Sequence, residues 1–253
     1  MNHMPTLRVV RILETVAANN GELTMSDIAR RTAIPPSTIL PILQTLTSAQ
    51  FLRLDSKTMR YSVGLKTFLS GAVFAKNTSY GGINAIVDSM AKESGETAHF
   101  GLLEAGDVLY VVKAESHQHI RMYSEIGRRL PAYATAVGKA LLGYHSRTEL
   151  EQLYPDGLKP LTEHTITDFD HLAAQLAVVK QGGFAYEWEE SNPGISCIAR
   201  PLVHDGKIVA AFSIVIPTFR STDELKAKAE QILIEASRSA ETLLPFADLV
   251  SIG

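Results

Sequence analysis

Residues 23–64, LTMSDIARRTAIPPSTILPILQTLTSAQFLRLDSKTMRYSVG, restrict the possible folds more than any other stretch of the chain. Thr24 stands where a helix N-cap belongs and Asp27, three residues on, can bond back to it. Leu23 and Ile28 occupy the two positions of a hydrophobic staple. The spacing predicts a helix from about Met25 to Arg31. Ile39, Ile42, Leu43 and Leu46 then recur at helical spacing, so a second helix buries that face and turns Ser37, Gln44, Thr45 and Ser48 outward. Phe51, Leu52 and Leu54 lead into the turn residues Asp55 and Ser56, and Met59 to Val63 can return alongside, with Lys57 and Arg60 at the tip. Helix, turn, helix and hairpin is the order of a winged helix-turn-helix, whose second helix offers its outer face to base edges.

Pro41 bears on that second helix. A proline inside a helix removes a backbone donor and costs about 3 kcal/mol, whereas in the first turn it is tolerated. The helix is therefore expected to start near Ser37 or Thr38, or to kink at Leu40. No Lys or Arg occurs between it and Arg53, so base reading is expected to fall to Ser37, Thr38 and Gln44.

Upstream, Val9, Ile12, Leu13, Val16 and Ala17 form the buried face of a helix from about Thr6 to Ala18, ended by Asn19, Asn20 and Gly21. Downstream, Leu65, Phe68, Leu69, Ala72 and Val73 mark a helix over 65–77. Its apolar stripe has no evident partner within the chain, and burial against a second copy resolves that. The net charge of −3 argues against nucleic acid, but it is unevenly placed: residues 1–65 hold seven cationic and four anionic side chains. A basic head on an acidic body fits nucleic-acid binding confined to the head.

The segments RILETVAANNGELTMSDIARRT and STILPILQTLTSAQFLRLDSKTMRYSVGLK resemble the N-terminal domain of IclR-type transcription regulators. GRRLPAYATAVGKALLG and EWEESNPGISCIARPL are similar to that family's effector domain, in the expected order. The resemblance runs from Leu7 to about Arg220. It implies an α+β chain: a winged helix-turn-helix DNA-binding domain (1–64), a linker helix (65–79) and a GAF-like effector domain with an antiparallel sheet (80–253). It also implies a phosphate contact for Arg8; Lys57 and Arg60 of the hairpin are expected to supply affinity beside it.

The residues beyond Gly82 fit that division. Helices are expected at Ile83–Glu93, Ala132–Tyr144, Arg147–Leu153, Asp168–Gln181 and from a Ser221/Glu224 capping box to about Leu244. Strands are expected at Thr97–Leu103, Val108–Ala114, Ile120–Ile126, Phe184–Glu189, Ile195–His204 and Lys207–Ile216, with Asp205-Gly206 a strong hairpin signal. Strands separated mainly by turns favour an antiparallel sheet covered by helices.

Catalysis finds little support. Ser196 and Cys197 lack a nucleophile-elbow glycine pattern, and GAVFAKN and GDVLYVVK lack phosphate-loop spacing. His117 and His119 could share a strand face as metal ligands with Cys197 or Glu187, but the pattern is common by chance, and neither metal nor cofactor is expected. One cysteine and no run of eighteen apolar residues fit a soluble protein of a reducing cytoplasm, and the opening MNHMPTLRVV has no secretion-signal core.

At LPAYATAVGKA chemistry and resemblance meet. Pro131 breaks the chain, Thr135 can cap, and the amides of Ala136, Val137 and Gly138 are a natural seat for a carboxylate. Carried over by position, the family's effector pocket is lined by His119, Met122, Leu130, Ala136, Val137, Glu187, Ile195, Cys197, Ser213 and Val215. Ala136 and Val137 are bulkier than in relatives that hold very small keto acids, and FSIVIP puts Val215 and Ile216 where serine and glycine are usual. A more hydrophobic organic acid than glyoxylate or pyruvate is therefore expected. The expected protein is a metabolite-responsive regulator that binds double-stranded operator DNA as a homodimer or homotetramer. The alternative is a ligand sensor or interaction protein with an impaired DNA-binding head.

Overall fold

The computed structural model describes residues 3–19, 23–77, 80–116 and 129–241, and the side chains of all of these but 72–81. Two compact units divide at Thr78/Ser79.

The first unit runs α1 (Met4–Ala17), β1 (Leu23–Thr24), α2 (Met25–Thr32), α3 (Pro36–Ser48), β2 (Leu52–Asp55), β3 (Arg60–Val63) and α4 (Leu65–Asn77). The Thr24/Asp27 capping box is formed: the Asp27 amide donates to Thr24 Oγ1 at 3.3 Å and the Thr24 amide to Asp27 Oδ2 at 3.2 Å. Ala33, with φ of 54°, ends α2. Ile12, Val16, Ile28, Ile39, Leu43 and Leu52 close the core over a small antiparallel sheet of order β1-β3-β2. β1, only two residues long, is not marked by any sequence pattern.

α3 corrects the expected start. It begins at Pro36, with Pro35 as N-cap, and continues through Pro41 to Ser48. Pro36 at the first helical position needs no donor. Pro41 falls one turn later, so the Ser37 carbonyl loses the amide that would normally reach it. In the hairpin, Asp55 Oδ1 accepts from the Lys57 and Thr58 amides at 2.8 and 3.3 Å. Arg60 is not at the tip: it opens β3, opposite Asp55 and Thr24. Gly64 lets α4 start against the wing, since a Cβ there would lie 2.2 Å from the Gln50 carbonyl oxygen. Thr67 Oγ1 donates to the Phe51 carbonyl at 2.8 Å, fixing the first turn.

The second unit contains α5 (Tyr80–Ser94), β4 (Thr97–Glu104), β5 (Asp107–Ala114), β6 (Arg129–Pro131), α6 (Ala136–Leu142), α7 (Arg147–Leu153), α8 (Phe169–Lys180), β7 (Ala185–Trp188), β8 (Ile195–His204), β9 (Lys207–Pro217) and α9 (Asp223–Glu241). Its sheet has the order β6-β5-β4-β9-β8-β7, antiparallel throughout. The β4–β5 and β8–β9 turns place Ala105-Gly106 and Asp205-Gly206 at positive φ, as two-residue hairpin turns require.

Both faces of the sheet are covered. Phe100, Ile198, Phe212 and Ile214 pack with Val87 and Met90 of α5 and Leu233 of α9. Tyr110, Cys197, Ala199 and Val215 pack with Ala136, Val137 and Ala140 of α6 and Leu172 and Leu176 of α8. Burial on both sides explains why β9 reads as the almost continuous apolar run IVAAFSIVI.

Two expectations need correction here. Residues 132–144 are not one helix: a 3-10 turn over Ala132–Ala134 precedes an extended Thr135, and α6 starts only at Ala136. The final helix is capped by Thr222, whose Oγ1 accepts from the Leu225 amide at 3.2 Å, rather than by Ser221 with Glu224. The strand expected at Ile120–Ile126 lies outside the described residues.

Candidate effector site and DNA-reading face

On the head, Ser37 and Gln44 are exposed on α3 and Thr38 is half-buried. Arg8 is half-buried on α1, while Lys57 in the β2–β3 turn and Arg60 on β3 are exposed. Four further exposed cations were given no DNA contact from the sequence: Arg11 on α1, Arg31 at the end of α2, Arg53 on β2 and Lys66 on α4. Arg30 is paired with Asp27 at 2.7 Å.

In the second unit the register aligns Glu187, Cys197 and Val215 across β7, β8 and β9, with Ser213 opposite Ala199 in the next row. This is the sheet face on which α6 lies. Thr135 caps α6 as expected, its Oγ1 accepting from the Gly138 amide at 3.0 Å. Gly138 is required, because a Cβ would lie 2.1 Å from the Ala132 carbonyl oxygen. The amide of Ala136, expected to face a ligand, donates at 3.4 Å to Glu187 Oε2. Glu187 is 5% exposed, and its other oxygen accepts from the Ser191 amide at 2.9 Å and from the Ser191 hydroxyl. Burial pushes this carboxyl up to about 7, against the two Ser191 hydrogen bonds that favour the ionised form. The chain's own carboxyl thus already sits at the helix start.

The remaining expected residues are unevenly placed. Ala136, Val137, Cys197, Ser213 and Val215 are buried, and Leu130 and Ile195 are half-buried against the same core. Ser213 is 1% exposed, and its hydroxyl lies within reach of the Cys197 thiol, whose pKa it lowers against the larger effect of burial. A cavity of about 520 Å³ opens beside Glu187 and Cys197, walled also by Gln175, Trp188, Glu190 and Lys226. Leu130, Ala136, Val137, Ile195, Ser213 and Val215 do not line it. His119 and Met122 lie outside the described residues, as does His117, and no cluster of three metal-ligating side chains occurs among those described. Ser196 Oγ donates to the Ile216 carbonyl at 2.9 Å, and burial, followed by Glu187, raises the Cys197 thiol far above its ordinary value. Neither is a poised nucleophile.

Lys139 and Glu190 were missed. Lys139 is 1% exposed, and its Nζ donates to Glu190 Oε1 at 2.5 Å, Gln175 Oε1 at 2.8 Å and the Tyr186 carbonyl at 3.1 Å. Burial lowers its pKa and Glu190 opposes that shift. The available signal was a lone charge inside the apolar run AVGKALL. His99 was also missed. It is buried on the same face, opposite Ser213 and 5.0 Å from the Tyr110 ring, and burial, then Lys113, pushes it down to about 3.

The profile described as IclR helix-turn-helix domain matches residues 6–56, and that described as Bacterial transcriptional regulator IclR C-terminal matches residues 82–242. The chain is 32% identical over 247 residues to the HTH-type transcriptional regulator KdgR of Dickeya chrysanthemi, covering 96% of this chain and 80% of that protein. The Escherichia coli K12 KdgR is 31% identical over 246 residues, covering 96% and 93%. Among solved structures, an IclR transcriptional regulator from Alicyclobacillus acidocaldarius superposes with a TM-score of 0.87 at 26% identity, covering 95% of this chain and 99% of that one. An IclR homologue from Microbacterium hydrocarbonoxydans, complexed with 4-hydroxybenzoate, gives 0.81 at 24% identity, covering 94% and 98%. These relatives are transcription regulators, not enzymes. With matches to both domains in order and over almost its whole length, the chain belongs to the IclR family of DNA-binding transcription regulators.

Proposed function

We propose that this regulator binds a two-fold symmetric operator as a homodimer, or a dimer of such dimers, in the cytoplasm, and that a small organic acid with a hydrophobic or aromatic body controls it. The observation that carries the assembly is the exposed apolar stripe of α4, on which Phe68 is 67% exposed and Leu65 and Leu69 are exposed beside it. A second copy would bury these side chains and present two α3 helices to the DNA. Ser37, Thr38 and Gln44 read bases, and Arg8, Lys57 and Arg60 supply phosphate contacts. Phe68→Asp weakens self-association and operator binding together; a wild-type protein that sediments as a monomer at micromolar concentration refutes the assembly. In gel shifts on the DNA upstream of the gene, Arg60→Ala lowers affinity and reduces the salt slope by about one. An unchanged slope removes the wing from the interface.

The effector reading rests on the apolar wall of Val137, Leu130, Ile195 and Val215 with the buried Ser213 hydroxyl. Leu130, Ala136, Val137, Glu187, Ile195, Cys197, Ser213 and Val215 form the pocket of this reading, to which the resemblance adds His119 and Met122. Glu187 suits an acid only in its neutral form, which burial favours. Branched-chain acids, or 4-hydroxybenzoate as an aromatic probe, are expected to raise the thermal midpoint of the full chain and alter operator affinity, with micromolar dissociation constants. Neutral sugars stabilising the chain while no carboxylate does would overturn the acid assignment.

A further inference from the structure

The outer face of α3 carries Ser37, Leu40, Pro41, Gln44, Thr45 and Ser48, all exposed. No charged residue occurs anywhere from Pro36 to Ser48. Two of the hydroxyls are spent on the helix itself: Thr45 Oγ1 donates to the Pro41 carbonyl at 2.8 Å and Ser48 Oγ to the Thr45 carbonyl at 2.9 Å. Leu40, 42% exposed, and the Pro41 ring beside it form an apolar step in the middle of the helix. A large apolar side chain held out to solvent on the reading helix calls for an apolar counterpart in the groove.

The major-groove edges differ in what they offer such a surface. Guanine shows two acceptors, N7 and O6, and is best taken by the paired donors of Arg or Lys. α3 has neither. Adenine shows an acceptor beside a donor, the pattern that a glutamine carboxamide matches with one N–H and one carbonyl. Thymine alone among the four bases projects a methyl group, which Leu40 and Pro41 can cover. Against guanine or cytosine the same side chains would strand O6 or the N4 amino group without a partner.

We infer that the base pairs read by α3 are A·T pairs, with Gln44 on an adenine and Leu40 and Pro41 on thymine methyls. This rests on the reading of α3 as the helix that enters the major groove, and deepens it by naming the bases. Affinity then comes from cations outside α3, and sequence preference from an uncharged helix.

Selection of the full chain on a random duplex pool at about 100 mM salt tests this. The expected motif has paired half-sites whose α3 positions are A·T, and G or C at one such position weakens binding about 5- to 150-fold. Replacing single thymines by uracil deletes only the methyl and leaves the protein untouched; it should weaken binding about fourfold at the Leu40 and Pro41 positions, the equivalent of one buried methyl. Leu40→Ala should abolish the thymine–uracil difference at the thymine that Leu40 covers and leave that at the Pro41 position, and Gln44→Ala should relax adenine preference at one position. A motif with G·C at the positions that Leu40→Ala or Gln44→Ala alters, or equal binding of thymine and uracil duplexes throughout, overturns the inference while leaving operator binding intact. Binding that is salt-dependent but selects no motif overturns both the inference and the reading of α3 on which it rests.

Discussion

Replacing Lys139 by methionine removes an ammonium that the fold has enclosed almost completely. Its side chain is 1% exposed and that of Glu190 8%. All three Nζ hydrogens have acceptors, on Glu190, Gln175 and the Tyr186 carbonyl. Methionine fills a similar volume, so little of the cost comes from packing. What it leaves is a buried Glu190 carboxylate without its counter-charge, on which Oε2 already lacks a hydrogen-bond partner among the described residues. Breaking such a pair from one side costs about 3–5 kcal/mol. For a unit of this size, each kcal/mol moves the thermal midpoint by about 2–4 °C, so a drop on the order of 10 °C is expected. The assay is built in: Trp188 on β7 is the chain's only tryptophan, so its fluorescence follows the second unit alone. The double variant Lys139→Met/Glu190→Leu should recover more than half of the loss, because it removes both charges together. A single variant within about 2 °C of wild type, or a double variant no better than the single, refutes the idea that the pair is held by mutual neutralisation.

The same fluorescence signal tests two further expectations. Glu187 titrates near 7 in the fold and near 4.5 unfolded, so the stability it contributes is complete below about pH 4.5 and is lost as pH rises through 7, by about 3 kcal/mol in all. Glu187→Gln keeps an acceptor for the Ala136 amide and should flatten that loss, making the variant more stable than wild type at pH 8 but not at pH 4.5; parallel pH profiles would show that Glu187 ionises freely. Gly138→Ala sets a methyl 2.1 Å from the Ala132 carbonyl oxygen, and because backbone must move to admit it, destabilisation of about 1–3 kcal/mol or more is expected; an unchanged midpoint refutes the close approach.

The fold was legible wherever periodicity and turn chemistry act locally. α4, α7 and β8 occupy the expected residues because each carries its own apolar pattern and its own stop signals. The two shortest strands, β1 and β6, were not legible, since two or three residues become a strand only through the neighbour they pair with. The cap of α9 went to the neighbouring hydroxyl for a similar reason. Thr218–Arg220 forms a 3-10 turn, anchored by Arg220 to Glu96 at 2.7 Å, and that anchor lies 124 residues away in sequence.

The candidate site shows the same limit with more consequence. A buried Glu187 needs partners, and that need is readable from the sequence; which partners meet it is not. One is Ser191, four residues on, and the other is the Ala136 amide, 51 residues back. Lys139 reaches Glu190 across the same separation, and the Thr162 and Thr165 hydroxyls donate to the Glu189 and Glu190 carbonyls at 2.6 and 2.7 Å. The segment that follows β7 is therefore tied to α6 through Lys139 and to the 162–165 turn through its backbone. Ser191, which holds Glu187, belongs to that segment. Any effector that takes the Ala136 amide must first displace the Glu187 carboxyl, and the displaced group remains tethered to Ser191. The energy of effector binding would thus pass first into the β7–β8 connection, and Lys139→Met, by loosening that connection, should weaken the effector's influence on operator affinity even under conditions where the second unit stays folded.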